Sequence, residues 1–161
     1  MTAAREALTT ASRIAALIGG MLMLVAVAVT TASVIRGLWG RPILGDSEIV
    51  EMCLGIAVAL SLPWGEMRGA HVIVDVFTAR LSPRKLAWLE AAMRACVALV
   101  AAVMAARLAI GSYDQWDRER ATMFLDLPYW WGFAGATLGL ALWCVTASFV
   151  AFERLQQARA A

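Results

Sequence analysis

Two uncharged apolar runs constrain the fold of this chain more than any other feature of its sequence. Residues 14–35 and residues 127–152 contain no Asp, Glu, Lys or Arg. A helix needs about 20 predominantly apolar residues to cross roughly 30 Å of hydrocarbon, and both runs reach that length. The first run is also longer than the apolar core of a signal peptide, about 7–15 residues. Both are therefore predicted to be retained membrane-spanning helices.

Two further spans are predicted in the middle of the chain, although both carry charges. The second span contains Glu51, and the third contains Glu90, Arg94 and Arg107. Six of the seven tryptophans, all except Trp143, lie near the ends of four such spans. Indole prefers the membrane–water interface, so four spans account for this distribution better than two. A hydrophobic content of 61% agrees with lipid as the main solvent.

Capping motifs mark where the predicted helices begin. Ser82-Pro83 and Asp126-Leu127-Pro128 place a proline in the first turn, where its missing N–H has no helical partner. Gly45 to Glu48 offers a capping side chain and acids at the helix N-terminus. The chain is thus predicted to be one all-α membrane domain, residues 1–161, with a possible short interfacial helix between the second and third spans. The predicted spans are residues 14–36, 47–67, 84–112 and 127–152.

The basic residues alternate between the two sides of the membrane. Eight lie on the side of the tails and the middle loop: Arg5, Arg13, Arg68, Arg80, Arg84, Lys85, Arg154 and Arg159. Four lie on the opposite side: Arg36, Arg41, Arg118 and Arg120. The positive-inside rule therefore predicts that both termini and the middle loop are cytoplasmic. The net charge is only +2 and no long basic run is present, so nucleic acid is not an expected partner.

The sequence contains few residues suited to catalysis. The three cysteines, Cys53, Cys96 and Cys144, lie in different apolar segments and form no CxxC pair. The one histidine, His71, lies in a loop, which argues against a bis-histidine haem site. No phosphate-binding loop and no protease motif are present. We predict that the chain is not an enzyme and binds no cofactor or metal.

Charges and small residues within the spans are the remaining candidates for function. Glu51 is either an acid near a helix N-terminus or the partner of Arg107, which could instead extend toward lipid phosphate. A coupling-ion role for Glu51 is the least favoured alternative, because one carboxylate is a poor cation site without further oxygen ligands. Glu90 and Arg94 have the i, i+4 spacing of a helical ion pair, or they contact a partner protein. The GxxxG pair in the fourth span either packs inside the bundle or forms a face for a larger subunit.

Three stretches resemble the small membrane subunit of tripartite ATP-independent periplasmic (TRAP) transporters, the DctQ-like family. They are residues 46–51, residues 68–75 with the pattern GxH(I/V)xVD, and residues 122–130 with the pattern Thr…Leu-x-Ile-Pro-x-Trp, in which Leu127 replaces isoleucine. The resemblance covers roughly residues 12–150. The candidate structural or partner-contact residues are Glu48, Glu51, Arg68, His71, Asp75, Glu90, Arg94, Arg107, Pro128, Trp130, Gly135 and Gly139.

The resemblance implies a four-helix subunit of the bacterial inner membrane that binds no substrate alone. It implies two protein partners, a large multi-span permease (DctM-like) and a periplasmic substrate-binding protein (DctP-like), with membrane lipids around them. The small subunit would be a scaffold for ion-driven uptake of an organic acid. His71 and Asp75 would lock the segment after the second span with a hydrogen bond, or would simply be solvated.

Two other classes remain open from the sequence. A small homodimeric proton-coupled exporter would need a carboxylate near the middle of the bilayer, and Glu51 is too shallow for that role. An anchor subunit of a membrane redox complex would bind haem or quinone. Transport by the purified chain would indicate the first class, and a haem spectrum would indicate the second.

Overall fold

The computed structural model describes residues 2–40, 43–69 and 83–160, and these residues form four long α-helices. The helices are α1 (Thr2–Gly37), α2 (Asp46–Arg68), α3 (Pro83–Asp117) and α4 (Trp130–Ala160). Each is long and apolar enough to cross a membrane. The predicted all-α architecture with four spanning helices is therefore confirmed. No strand occurs within the described ranges, which contain one isolated β-bridge, between Ala121 and Pro128.

Three of the helices are longer than a bilayer requires. At 1.5 Å per residue, the 36 residues of α1 and the 35 of α3 extend well beyond about 30 Å of hydrocarbon. Helix α3 continues past the predicted span end at residue 112 as far as Asp117. The predicted interfacial helix, together with His71 and Asp75, lies in residues 70–82, outside the described part of the chain.

The helices lie in a row rather than in the order of the sequence. Helix α1 packs on α2, α2 packs on α4, and α4 packs on α3, which gives the order α1, α2, α4, α3. We call the end that carries residues 2, 68, 83 and 160 the terminal end, and the other the loop end. This arrangement leaves apolar side chains exposed along the helices, among them Leu17, Leu24, Leu99 and Leu138.

Glycines set the closest contacts between the helices. A Cβ atom at Gly139 would lie 2.5 Å from the carbonyl carbon of Ala59, and one at Gly19 would lie 2.8 Å from the carbonyl oxygen of Ala57. Because only glycine permits such an approach, α4 and α1 pack directly on the backbone of α2. Gly135 faces Ile56 of α2. The GxxxG pair therefore lies inside the bundle and does not form a free docking face.

Pro63 leaves one backbone carbonyl of α2 without its helical donor at the contact with α4. A proline has no N–H, so the carbonyl of Ala59, four residues earlier, has no i→i−4 helical donor. The backbone of Gly139 packs against this same carbonyl. Pro63 and Ala59 are both buried, and Ala136 and Leu140 of α4 complete the small core there.

Two helix starts differ in detail from the sequence prediction. Helix α4 begins at Trp130, two residues after Pro128, because Pro128 belongs to the β-bridge of the preceding loop. Helix α2 begins after Gly45, which has a left-handed conformation and provides no side-chain cap. Asp46 accepts a hydrogen bond from the adjacent Ser47 N–H at 2.7 Å. The acid in the first turn, Glu48, contacts a different part of the chain.

Candidate functional site

A buried ion pair with a tryptophan is the main polar cluster between the helices. Glu66 on α2 accepts a hydrogen bond from the guanidinium of Arg94 on α3. The indole N–H of Trp143, on α4, donates to the other carboxylate oxygen at 3.4 Å. The side chain of Glu66 is fully buried, and that of Arg94 is 11% exposed. Charges so deeply buried need partners, and here each has one.

This cluster connects two helices that are separated by a third. Helices α2 and α3 lie on either side of α4, and their side chains meet beside Trp143. The sequence prediction of an Arg94–Glu90 pair within α3 is therefore wrong, since Arg94 binds Glu66. The alternative of a Glu51–Arg107 pair between α2 and α3 is also wrong. The structure has an ion pair between these helices, but with different residues and nearer the terminal end.

Two more exposed ion pairs connect helices at the terminal end. Glu90 of α3 lies 3.3 Å from Arg154 of α4, and Arg5 of α1 lies 3.3 Å from Glu153 of α4. The side chains of Arg5 and Arg154 are 58% and 42% exposed, so water screens both pairs. Each pair contributes at most about 1 kcal/mol. They connect the end of α4 to α3 and to the start of α1 more than they stabilise the fold.

At the loop end, Glu48 binds the loop that joins α3 to α4. One carboxylate oxygen accepts the Phe124 N–H at 2.9 Å, and the other accepts the Leu125 N–H at 3.1 Å. Hydrogen bonds to a charged acceptor are about twice as strong as neutral ones. A Cβ at Gly45 would lie 2.7 Å from Leu125, so the loop packs closely on the start of α2.

Thr122 stabilises the same loop through hydrogen bonds to another residue of the loop. Its N–H donates to the carbonyl of Leu127 at 2.9 Å, and its hydroxyl accepts the Leu127 N–H at 3.0 Å. Asp126 has a positive φ of 54°, and the chain reverses there. Residues 122–129 therefore form a compact turn before α4, in which the threonine and the proline have structural roles.

Replacing Glu48 with Gln is expected to loosen this loop without unfolding the helices. The amide keeps one acceptor oxygen, has an NH2 group in place of the second, and carries no charge, so the N–H that binds the second oxygen loses its acceptor. Amide hydrogen exchange at Phe124 and Leu125 should therefore become faster, while exchange within α2 stays slow. Glu119→Gln, a change at an exposed acid of the same loop, is the control. Unchanged exchange at both amides in the Glu48 variant would contradict this role.

The other predicted residues lie apart from the polar cluster. Glu51 and Arg107 are exposed, with no ion pair or hydrogen bond to another described residue. The guanidinium of Arg68 lies 4.8 Å from the ring centre of Trp64. The carbonyl of Trp130 accepts a hydrogen bond from the Ser112 hydroxyl at 3.3 Å. Within the described ranges, no group of three or more His, Cys, Asp or Glu residues is arranged to hold a metal ion.

Sequence reasoning did not single out Glu66 or Trp143. Two signals could have found them. Trp143 is the tryptophan that lies away from the predicted span ends, and a mid-span indole needs an acceptor for its N–H. Arg94 is a charge within a predicted span, and such a charge needs a partner. Glu66 lies within the second predicted span, near its end. It is the acceptor for the Trp143 N–H and the ion-pair partner of Arg94.

The fold and its polar contacts define a class: an all-α, membrane-spanning protein whose buried charges connect its own helices. Comparison with protein-family models identifies the family. Residues 25–157 match the model described as tripartite ATP-independent periplasmic transporters, DctQ component. The chain therefore belongs to the DctQ family of small TRAP transporter permease subunits. Comparisons with curated proteins and with solved structures gave no match.

Family membership bears on the alternatives left open by the sequence. Members of the DctQ family are components of a transport system, and the family is not an enzyme family. It is also one part of a tripartite assembly, which disfavours an exporter that works as a homodimer of this chain. An anchor subunit of a redox complex is disfavoured for the same reason.

Proposed function

We propose that this chain is the fixed scaffold subunit of a TRAP importer in the bacterial inner membrane. In this proposal, a large permease subunit moves against the chain during ion-driven uptake of an organic acid. A periplasmic binding protein delivers the acid. The observation that carries the proposal is the single row of helices, held together internally and left apolar on its outer surfaces.

The internal contacts support a rigid role. Helix α2 touches α1 and α4 through backbone-to-backbone contacts at Gly19 and Gly139. The cluster of Glu66, Arg94 and Trp143 adds α3 to the same unit. Glycine contacts of this kind leave the helices little room to move against one another, so the four helices form one rigid unit. A unit of this construction suits the stationary part of an elevator-like transporter.

The loop end supports a contact outside the membrane. With both termini in the cytoplasm, this end would face the periplasm. Large apolar side chains are exposed there, including Leu38, Trp39, Met123 and Phe124. Exposed apolar patches of this kind are typical of protein or membrane contacts. We propose that the two loops, residues 36–47 and 113–126, help to dock the binding protein.

Reconstitution tests the proposed function directly. The tagged chain should co-purify with the large permease subunit in mild detergent. Proteoliposomes should take up the acid only when the chain, the large subunit, the binding protein and an ion gradient are all present. Transport by the chain alone would contradict the proposal and favour an exporter. A haem spectrum from the pure protein would favour a redox anchor.

A cross-link between helices should leave transport intact if the chain acts as one rigid scaffold. Positions 5 and 153 lie close together at the terminal end, so Arg5→Cys and Glu153→Cys can be joined by a bis-maleimide. The three natural cysteines would first be replaced by serine or alanine. Uptake should stay within about a factor of two of the unlinked variant, since the energetic role of this exposed pair is small. Loss of uptake on cross-linking would contradict a rigid scaffold.

A further inference from the structure

A groove opens between α2 and α3 in the half of the molecule nearest the loop end. Its volume is about 240 Å³. Helix α4 forms its floor, and α2 and α3 form its walls. Its lining includes Glu51, Met52 and Gly55 of α2, Leu108 of α3, and Phe133 and Ala136 of α4.

The groove is closed toward the terminal end. On the side of the groove nearer the terminal end, Ala59, Ala136 and Leu140 pack together in the small core between α2 and α4. Further along, the ion pair of Glu66 and Arg94 joins the two walls. A group entering the groove must therefore come from the loop-end half, on the side opposite α4.

Glu51 is the one charged residue among those that line the groove in the described part of the chain. It lies about one turn into α2, it is exposed, and no described residue forms an ion pair or hydrogen bond with it. Arg107 precedes Leu108 but does not line the groove. An ionisable side chain within a span normally has a partner, because its charge is costly in lipid. Among the described residues, Glu51 has none.

We infer that the groove receives a lysine or arginine side chain from a membrane-spanning helix of the large permease subunit, with its charged group at Glu51. The inference rests on the proposed function, since it assumes that partner. The volume suits one long side chain and is too small for a helix. The apolar walls would cover the methylene stem, and the carboxylate would neutralise the charge. A lipid acyl chain would fill the same space but would leave Glu51 without a partner.

Site-specific photo-cross-linking tests the occupant. A diazirine amino acid at position 52 lies in the groove, and one at position 58 lies on another, exposed face of α2. In cells that express both subunits, position 52 should form an adduct with the large subunit, mapped by mass spectrometry beside a Lys or Arg. Position 58 should not give the same adduct. A purely lipid adduct at position 52, with the subunits still co-purifying, would overturn this inference and leave the proposed function standing.

Charge changes at Glu51 provide the quantitative test. The dissociation constant of the two purified subunits should rise about ten- to one-hundred-fold in Glu51→Gln, since a charged hydrogen bond is lost. Glu51→Lys should weaken binding further, through repulsion. Glu6→Gln, at an exposed acid of the terminal end, should leave the constant unchanged. Thermal unfolding of the isolated variants should match the unmodified chain. Equal dissociation constants for all the Glu51 variants would overturn the inference.

Discussion

Replacing Glu66 with Leu is expected to destabilise the isolated protein by about 3–5 kcal/mol. The change removes the carboxylate but leaves the guanidinium of Arg94, which is 11% exposed, buried among α2, α3 and α4. It also removes the acceptor for the Trp143 N–H. A buried charge without a partner costs more than the intact pair contributes. The measurement is the free energy of unfolding in a mild detergent, followed by helical circular dichroism.

Two further variants separate the charge effect from loss of packing. In Glu66→Leu combined with Arg94→Leu, both charges are removed, and most of the lost stability should return. Glu51→Leu, a change at an exposed acid of the same helix, should alter the free energy of unfolding by less than about 0.5 kcal/mol. Equal losses in the Glu66 and Glu51 variants would contradict a stabilising role for the buried pair.

The number and type of helices could be predicted from the sequence because those signals are local. Apolar length, tryptophan position and proline placement each act within a segment, and Pro83 is indeed the first residue of α3. The helix row could not be predicted in this way. The order α1, α2, α4, α3 depends on which glycine meets which backbone, such as Gly139 with Ala59. Such contacts join residues that are far apart in the chain.

The failed ion-pair predictions have a similar cause. The i, i+4 rule assigned Glu90 to Arg94, but that rule describes an isolated helix in water, where such a pair stabilises by about 0.2–0.5 kcal/mol. In the bundle, Glu66 offers Arg94 a partner shielded from water, where the attraction is stronger. Glu90 instead meets Arg154. A weak local preference is therefore overridden by the tertiary arrangement.

The Thr122–Trp130 stretch was also predictable only in its local features. Its resemblance to a family pattern was visible in the sequence, and the predicted helix start at residue 127 was correct to within three residues. The acceptor of the loop's backbone N–H groups was not visible. Glu48 lies 76 residues from Phe124 in the chain, and its acidic character alone indicated only a helix N-terminus.

Replacing Gly139 with Ala is expected to destabilise the protein by about 1–3 kcal/mol, the usual cost of overpacking. The added Cβ would lie 2.5–2.7 Å from the backbone atoms of Ala59 and Leu60. Backbone atoms cannot rotate away as a flexible side chain can, so α2 and α4 must separate. Their separation also disturbs Trp143, one turn further along α4, and through it the Glu66 cluster.

Gly20→Ala is the matched control for this change. Gly20 also lies inside a spanning helix, but a Cβ there would have no neighbour within 4 Å. Alanine favours a helix over glycine by about 1 kcal/mol, so Gly20→Ala should leave the protein as stable or more stable. The two variants carry the same chemical change, and their difference in unfolding free energy therefore measures the contact of Gly139 with α2. If Gly139→Ala proved no less stable than Gly20→Ala, the close approach of α4 to α2 would be incorrect.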